Sequence, residues 1–228
     1  SALIWLRTQM ILSNGAMLFQ IIFPYALLIL YDRFLNPDHD PSKSIQILFI
    51  MLPLAFSLSM GTMITIMLAE EKEKKNLKTL FLSGIHSAEY LISILFYPII
   101  LGCITIISFP LILNADLSNH LVEYGVVMTS VAVCVILVNL LVGAVTDTQA
   151  KAQVNGVIPM MVVAFLPMFS QFSESISKVA HYTFMGNFID FFLDKGFTLN
   201  FQSMLVPIVW MAVLIVLNFF LLKPKAQN

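Results

Sequence analysis

Six apolar stretches, each long enough to cross a bilayer, are the feature of this sequence that most restricts its fold. A membrane-spanning helix needs about 20 consecutive, mostly apolar residues. The stretches that meet this length are residues 10–30, 45–69, 90–113, 121–146, 154–172 and 204–222. Only 11% of the 228 residues are charged, whereas a soluble domain carries roughly a quarter. The sequence therefore predicts an all-α, polytopic membrane protein in which residues 1–228 form a single transmembrane domain.

The lysines and arginines predict how the spans are oriented, because cytoplasmic loops of membrane proteins carry an excess of positive charge. With six spans, both termini lie on one side. Eight of the 12 basic residues fall on that side, namely Arg7, Lys72, Lys74, Lys75, Lys78, Lys151, Lys223 and Lys225. The other four are Arg33, Lys43, Lys178 and Lys195. We therefore expect cytoplasmic termini, with residues 1–9 forming an interfacial lead-in helix that carries Trp5 and Arg7.

Residues 70–89, between the second and third spans, are the most densely charged run of the chain. The run begins with alternating acids and bases and then becomes amphipathic, because apolar residues recur at helical spacing. Those residues are Leu77, Leu80, Phe81 and Ile85. A short helix between two spans can bind lipid headgroups, act as a solvated connector or dock into another protein. The chemistry of the segment leaves these three alternatives open.

Two spans contain patterns that bear on helix packing. In the second span, Ser57, Gly61 and Thr65 lie four residues apart, which places small side chains on one ridge where another helix can approach closely. That ridge fits packing within the subunit or an interface between subunits. In the fifth span, Pro159 and Pro167 each free a backbone carbonyl and favour a kink. The kinks fit either a hinge or a static bend.

The segment between the fifth and sixth spans, residues 173–203, is long and aromatic. Four of its rings follow the spacing of one helical face. They are Phe184, Phe188, Phe191 and Phe192. This spacing predicts one or two short amphipathic helices that lie in or dip into the outer leaflet. The alternative is a surface loop with some aromatic anchoring.

The sequence offers little material for catalysis or for metal binding. The four histidines are scattered, and none has the spacing of a paired metal ligand. The two cysteines, Cys103 and Cys134, fall inside apolar spans, where we expect them to be buried and not disulfide-bonded. No glycine precedes a lysine, so the chain lacks a phosphate-binding loop for ATP. We therefore expect the chain to be no enzyme by itself, and its net charge of −1 argues against a nucleic-acid partner.

Residues 70–91 resemble the corresponding segment of the membrane subunit, or permease, of type-2 ATP-binding cassette (ABC) exporters. That family has acidic and basic residues at the end of span two, a threonine, a leucine-rich turn, a small-residue turn and a Glu-Tyr-Leu entry into span three. The matching residues here are Glu70, Glu71, Lys74, Lys75, Thr79, Leu80, Leu82, Ser83, Gly84, Ile85, Glu89, Tyr90 and Leu91. The chain departs from the pattern at Gly84, where a proline is common, and at Ser93-Ile94, where the family often has a small-basic pair.

The resemblance implies a role for each of these segments. Residues 77–85 would be a coupling helix that docks into a separate ATPase, which holds the ATP and Mg²⁺ while this chain holds no cofactor. The docking residues would be Glu71, Lys75, Leu77, Lys78, Leu80, Phe81 and Ile85. Two permease subunits would pair, with spans two and five at the dimer interface or translocation path. The residues there would be Ser57, Gly61, Thr65, Pro159, Met160 and Pro167.

The same resemblance makes residues 173–203 re-entrant helices, with Phe184, Phe188, Phe191 and Phe192 as an outer gate. The cargo is predicted from composition, because 13 methionines give an adaptable apolar surface and no charge lies deep in a span. We expect export of a hydrophobic or amphipathic peptide across a bacterial cell membrane. Lipid-linked glycans and drugs are alternative cargoes, and a non-transporting scaffold or sensor subunit is the alternative function.

Overall fold

The structure is a computed structural model that describes residues 2–74, 84–194 and 197–222. Within these ranges the chain is helical and contains no strand. The helices are α1 (Ala2–Ser13), α2 (Gly15–Leu35), α3 (Pro41–Ala55), a π-helical segment (Phe56–Thr62), α4 (Met63–Glu73), α5 (Ser87–Ile112), α6 (Leu121–Val145), α7 (Gln149–Ser170), α8 (Glu174–His181), α9 (Gly186–Leu193) and α10 (Phe201–Leu222). The all-α prediction is therefore confirmed.

Six of these units are long and apolar enough to cross a membrane, which confirms the predicted number of spans. They are α2, the continuous unit Pro41–Glu73, α5, α6, α7 and α10. The first span begins at Gly15 instead of residue 10, because Asn14 caps it. The Asn14 side chain accepts hydrogen bonds from the backbone N–H groups of Ala16 and Met17 at 3.1 and 3.3 Å, so α1 remains a separate helix.

The second span, Pro41–Glu73, is the central helix of the bundle. In its most apolar window 83% of the residues are buried, compared with 17–56% in the other five spans. Its middle is the π-helical segment, where three hydroxyl groups bond to backbone carbonyls four residues earlier. Ser57, Ser59 and Thr62 donate to them at 2.7–2.8 Å. Such bonds satisfy carbonyls in a stretch where the ordinary α-helical ladder is interrupted.

A polar residue is buried at each end of the bundle, Asn36 at one and Glu71 at the other, and we name the two ends after these residues. At the Asn36 end, the Asn36 amide donates to Ser44 Oγ at 3.0 Å and accepts from the N–H of Asp40 at 2.6 Å. Ser44 Oγ then donates to the carbonyl of Leu113 at 2.8 Å, at the end of α5. The Glu71 end is formed by α1, the last turn of α4, and the neighbouring ends of α5, α6 and α7. The contacts at these two ends fix the helices relative to one another.

Residues 173–203 contain two short helices, α8 and α9, and α9 packs onto the bundle at the Asn36 end. A Cβ on Gly186 would lie 2.4 Å from the carbonyl oxygen of His181, so only glycine permits this close approach. His181 Nδ1 and Asp190 Oδ2, 3.0 Å apart, join the two helices. Trp210 of α10 donates its indole N–H to the carbonyl of Tyr182 at 2.9 Å, which fixes the turn to the last span.

Candidate functional site

The last turn of α4 lies immediately before the predicted coupling segment. Together with Arg7 it contains three of the four buried charged residues in the described part of the chain, the fourth being Asp32. Successive residues of an α-helix point about 100° apart. Glu71, Lys72 and Glu73 therefore face three different neighbours. We call these three residues, together with Arg7, Tyr90 and Ser93, the anchor cluster.

Glu71 lies at the centre of the anchor cluster. It is 1% exposed and forms an ion pair with Arg7 of α1, which is fully buried. Its second oxygen accepts a hydrogen bond from the hydroxyl of Tyr90 in α5. The Glu71 carboxylate thus joins α1, α4 and α5 within a region closed to solvent.

Arg7 is satisfied by several partners, as a buried guanidinium must be. Its Nε and Nη2 atoms donate to Ser93 Oγ at 3.3 and 3.1 Å. Its guanidinium carbon lies 5.5 Å from the centre of the Tyr90 ring, within cation–π range. Removing one partner from such a buried pair is costly, because the other charge is left without compensation.

Lys72 closes the end of a different helix. Its ammonium donates to the carbonyls of Gly143 at 2.9 Å, of Thr146 at 3.2 Å and of Ala144. The final carbonyls of a helix lack partners within the helix and carry partial negative charge. Lys72 therefore stabilises the C-terminus of α6 and fixes it to α4.

Glu73 stabilises the start of the next helix, α7. One of its carboxylate oxygens accepts from the backbone N–H of Gln149 at 2.8 Å, and the Thr148 hydroxyl accepts from the N–H of Lys151 at 3.3 Å. A carboxylate is favourable there, because the N-terminus of a helix presents unpaired N–H groups and partial positive charge. Residues 71–73 thus hold α1, α5, α6 and α7 in one place.

The geometry of the anchor cluster is that of a mechanical link between helices. Its charges are paired with each other or with backbone groups, and no group of three possible metal ligands occurs in the described ranges. Glu71 and Tyr90 also bracket the predicted coupling segment from both sides. A movement of that segment would therefore reach α4 and α5 together.

The predicted docking residues lie largely outside the described residues. Lys75, Leu77, Lys78, Leu80 and Phe81 all fall there. Glu71 is described, and it faces inward to Arg7 and Tyr90, so its role in docking stays a prediction. Ile85 is half-buried and packs against this subunit's own core. Gly84 has a φ of 89°, a backbone conformation that favours glycine.

The role of Arg7 was missed by the sequence-based prediction. It was expected at an interface, yet it is buried, and α1 extends to Ser13. The second span was predicted to end at residue 69, whereas its helix continues to Glu73. A single arginine in an otherwise apolar stretch, together with the excess of acid at Glu70 and Glu71, is the signal from which the pair could have been inferred.

The predicted small-residue ridge of the second span faces α6 of the same subunit. Thr65 Oγ1 lies 3.1 Å from Asn139 Oδ1, and a Cβ on Gly61 would lie 2.5 Å from Asn139 Nδ2. Ser57 is buried as well. This position corresponds to the alternative of packing within the subunit, and a role in a dimer interface or translocation path stays a prediction. The π-helical segment that carries part of this ridge also packs against α7. In α7, Pro159 and Pro167 are buried and Met160 is half-buried.

Three of the four predicted gate residues come together at the Asn36 end. The ring of Phe192 lies 4.9 Å from that of Phe188 and 5.1 Å from that of Phe191. Phe184 pairs instead with Trp210, at 5.9 Å. Phe188 is fully buried and stacks on Phe49 of α3 at 5.6 Å. The rings thus pack into the bundle, and their function as a gate stays a prediction.

Comparison with known proteins supplies the family. The model of the family described as "ABC-2 family transporter protein" matches residues 33–222, which is most of the chain. The match includes the second to sixth spans, whereas the lead-in and most of the first span, Gly15–Leu35, precede it. No curated protein and no solved structure matches the chain significantly. The matched region includes Glu71, Lys72, Glu73 and Tyr90 of the anchor cluster, whereas Arg7 precedes it. The chain belongs to the ABC-2 transporter family and is a membrane component of that family's transport machinery.

Proposed function

We propose that this chain is the permease subunit of an ATP-driven exporter, and that a separate ATP-binding cassette ATPase binds residues 70–89. The observation that carries the proposal is the anchor cluster. It joins the two stems of that segment, α4 and α5, to each other and to three further helices, as a site that receives force from a partner requires. ATP and Mg²⁺ would reside in the ATPase, since this chain lacks a phosphate-binding loop.

The proposed assembly contains two permease subunits, identical or related, in a bacterial cell membrane with the termini in the cytoplasm. One face of α7 supports the pairing, because its exposed apolar residues recur at helical spacing. They are Val154, Ile158, Met161, Phe165 and Phe169. Gly61 and Thr65 already contact α6. We therefore place the exposed face of α7 at the subunit contact.

A binding experiment tests the docking proposal. The chain would be co-expressed with a candidate ABC ATPase from the same organism, and the complex purified through a tag on the permease. Replacing Leu80 and Phe81 with Asp should abolish ATPase binding, because charges would replace the apolar anchors of the docking helix. Phe172→Asp is the matched control, since Phe172 is 82% exposed at the Asn36 end. Unchanged stoichiometry in the docking variant would show that the assignment is wrong.

A second experiment tests the proposed cargo, a hydrophobic or amphipathic peptide. The assembled complex would be placed in nanodiscs, and its ATP hydrolysis measured with amphipathic peptides of different charge. Stimulation by one class of peptide would support the cargo. If ATP hydrolysis is intact but responds to no such peptide, the peptide cargo is wrong, and lipid-linked glycans or drugs should be tested in its place.

A further inference from the structure

Two adjoining cavities run along the seam between α5 and α6. The first has a volume of about 310 Å³ and lies between the middle portions of the two helices, with Met60, Gly102, Cys103 and Ile136 in its wall. The second, of about 430 Å³, continues toward the Asn36 end and reaches Asp116. Ile106 lines both cavities, so they adjoin along α5, and we call the two together the groove.

Three local features shape the walls of the groove. Pro110 has no N–H, so the carbonyl of Ile106, four residues earlier, loses its helical partner. The Tyr124 hydroxyl donates to that carbonyl at 2.8 Å and bridges α5 to α6 where the two cavities meet. On the floor, a Cβ on Gly102 would lie 2.7 Å from the terminal methyl and the sulfur of Met60. Cys103, which was expected to be buried, is exposed and lines the groove.

The mouth of the groove carries a fixed negative charge. Asp116 Oδ1 accepts from the hydroxyl and the N–H of Ser118, at 2.6 and 3.2 Å. These hydrogen bonds stabilise the ionised form and lower the pKa of Asp116, which therefore stays charged in mildly acidic solution. Asp116 also lines a neighbouring cavity of about 260 Å³ that contains Phe191, Phe192 and Phe197. Among the residues that the structure describes, no lysine or arginine lines these three cavities, and His120 and Asp194 line the third.

We propose that this groove binds a cationic amphiphile, with its alkyl chain between α5 and α6 and its ammonium group beside Asp116. An apolar groove at bilayer depth favours a hydrocarbon chain over water. The carboxylate and the nearby aromatic rings favour a positive head group over a neutral or an anionic one. The site therefore selects for charge at its mouth and for apolar length in its interior.

Protection of Cys103 tests the proposal on the full chain in nanodiscs. N-ethylmaleimide would alkylate the exposed Cys103, whereas Cys134 is fully buried, and intact mass would follow the rate. Dodecyltrimethylammonium should slow alkylation saturably, by about tenfold. Dodecyl maltoside and dodecyl phosphate carry the same tail, and they should bind about fivefold more weakly, the upper limit for one solvent-exposed ion pair.

Two pairs of variants separate the head group from the tail. Asp116→Asn should remove the preference for the cation, whereas Glu123→Gln, in the first turn of α6 and outside the groove, should keep it. Ala115→Phe should fill the second cavity and abolish protection, whereas Val122→Phe, 73% exposed to the surroundings, should not.

Equal protection by all three amphiphiles, or protection that never saturates, would overturn the proposal and indicate partition into the bilayer only. Oxidative cross-linking of Cys103 to a second copy in most molecules would also overturn it, since a neighbouring subunit would then cover the groove. The experiment contains no ATPase. A negative result would therefore leave the exporter proposal standing, and a loss of ATPase binding would leave this one standing.

Discussion

The two ends of the helical bundle are held together by different chemistry, although each end joins parts that are distant in the chain. At the Glu71 end, a buried ion pair links Arg7 to Glu71, 64 residues away. At the Asn36 end, the bonds that join distant parts are between neutral groups: the Asn36 amide bonds to Ser44, which bonds to the carbonyl of Leu113. The charged contact there, between Asp32 and His39, joins residues that are close in the chain.

The difference shows how each end responds when it is disturbed. When a neutral hydrogen bond breaks, its groups can bond to water in its place, so the loss of stability is moderate. A buried ion pair is stable only while both partners are present, because either charge alone is strongly disfavoured. The Glu71 end is therefore sensitive to any movement that separates α1 from α4, and it is the end that leads into the proposed ATPase-binding segment.

The largest expected effect comes from breaking the ion pair. Arg7→Met should lower the free energy of unfolding by about 3–5 kcal/mol, because Glu71 would remain buried without its countercharge. Denaturant unfolding in mixed micelles measures the change. The double variant Arg7→Met with Glu71→Leu should recover much of the loss, since no charge remains buried. A single variant as stable as the unaltered protein would contradict this account.

The Asn36 end should lose less stability when one of its contacts is removed. Asn36→Leu should cost about 1–3 kcal/mol, because it leaves the N–H of Asp40 and the hydroxyl of Ser44 with fewer partners. The same unfolding measurement applies, with Gln153→Leu as the control at an exposed position. If Asn36→Leu is as damaging as Arg7→Met, the contrast between the two ends fails.

Lys72 offers a local test within the Glu71 end. Lys72→Met should destabilise the last turn of α6 by up to about 2 kcal/mol, since it removes a cation from a partly buried helix C-terminus. Hydrogen exchange of the amides in residues 141–146 should then accelerate, while amides in the middle of α6 keep their protection. Lys72→Arg retains the charge and should retain part of the protection. Identical exchange rates of these amides in the unaltered protein and in both variants would contradict the capping role.

The smallest effect concerns the one titrating contact between α8 and α9. Burial is the main cause that raises the pKa of Asp190, although His181 and its hydrogen bond partly oppose it. A carboxyl whose folded pKa is raised contributes stability below its ordinary pKa and loses that contribution as the pH rises through the folded value. Above about pH 4, the thermal unfolding midpoint of the unaltered protein should therefore fall slightly relative to that of the Asp190→Asn variant. Glu174→Gln, at an exposed position, should not change the pH profile.

Hydropathy and helical spacing predict much of this fold, because lipid requires apolar helices of a minimum length. They also predict that Gly61 and Thr65 share a ridge, although spacing alone does not identify Asn139 as the partner. Helix ends were predicted less accurately. The ends at Asn14 and Glu73 depend on hydrogen bonds, whereas hydropathy reports only apolar length.

The anchor cluster could not be predicted in the same way. Arg7 reads as a surface charge until Glu71, Tyr90 and Ser93 are known to surround it, and all three lie more than 60 residues away. Lys72 and Glu73 likewise read as members of a solvated charge run. Their roles depend on where α6 ends and α7 begins, which is a tertiary relationship and not a local pattern.

The hydrogen bond between Tyr90 and Glu71 spans 19 positions of the chain and makes the intervening stretch a closed ring. The entropy of closing a ring grows slowly with its circumference, by about 0.6 kcal/mol for each doubling. Added glycine and serine residues in this ring should therefore be tolerated by the folded subunit. If the proposed ATPase binds here, they should nevertheless weaken the transfer of movement from that partner to the helices, so folding and energy transfer could be altered independently in this one segment.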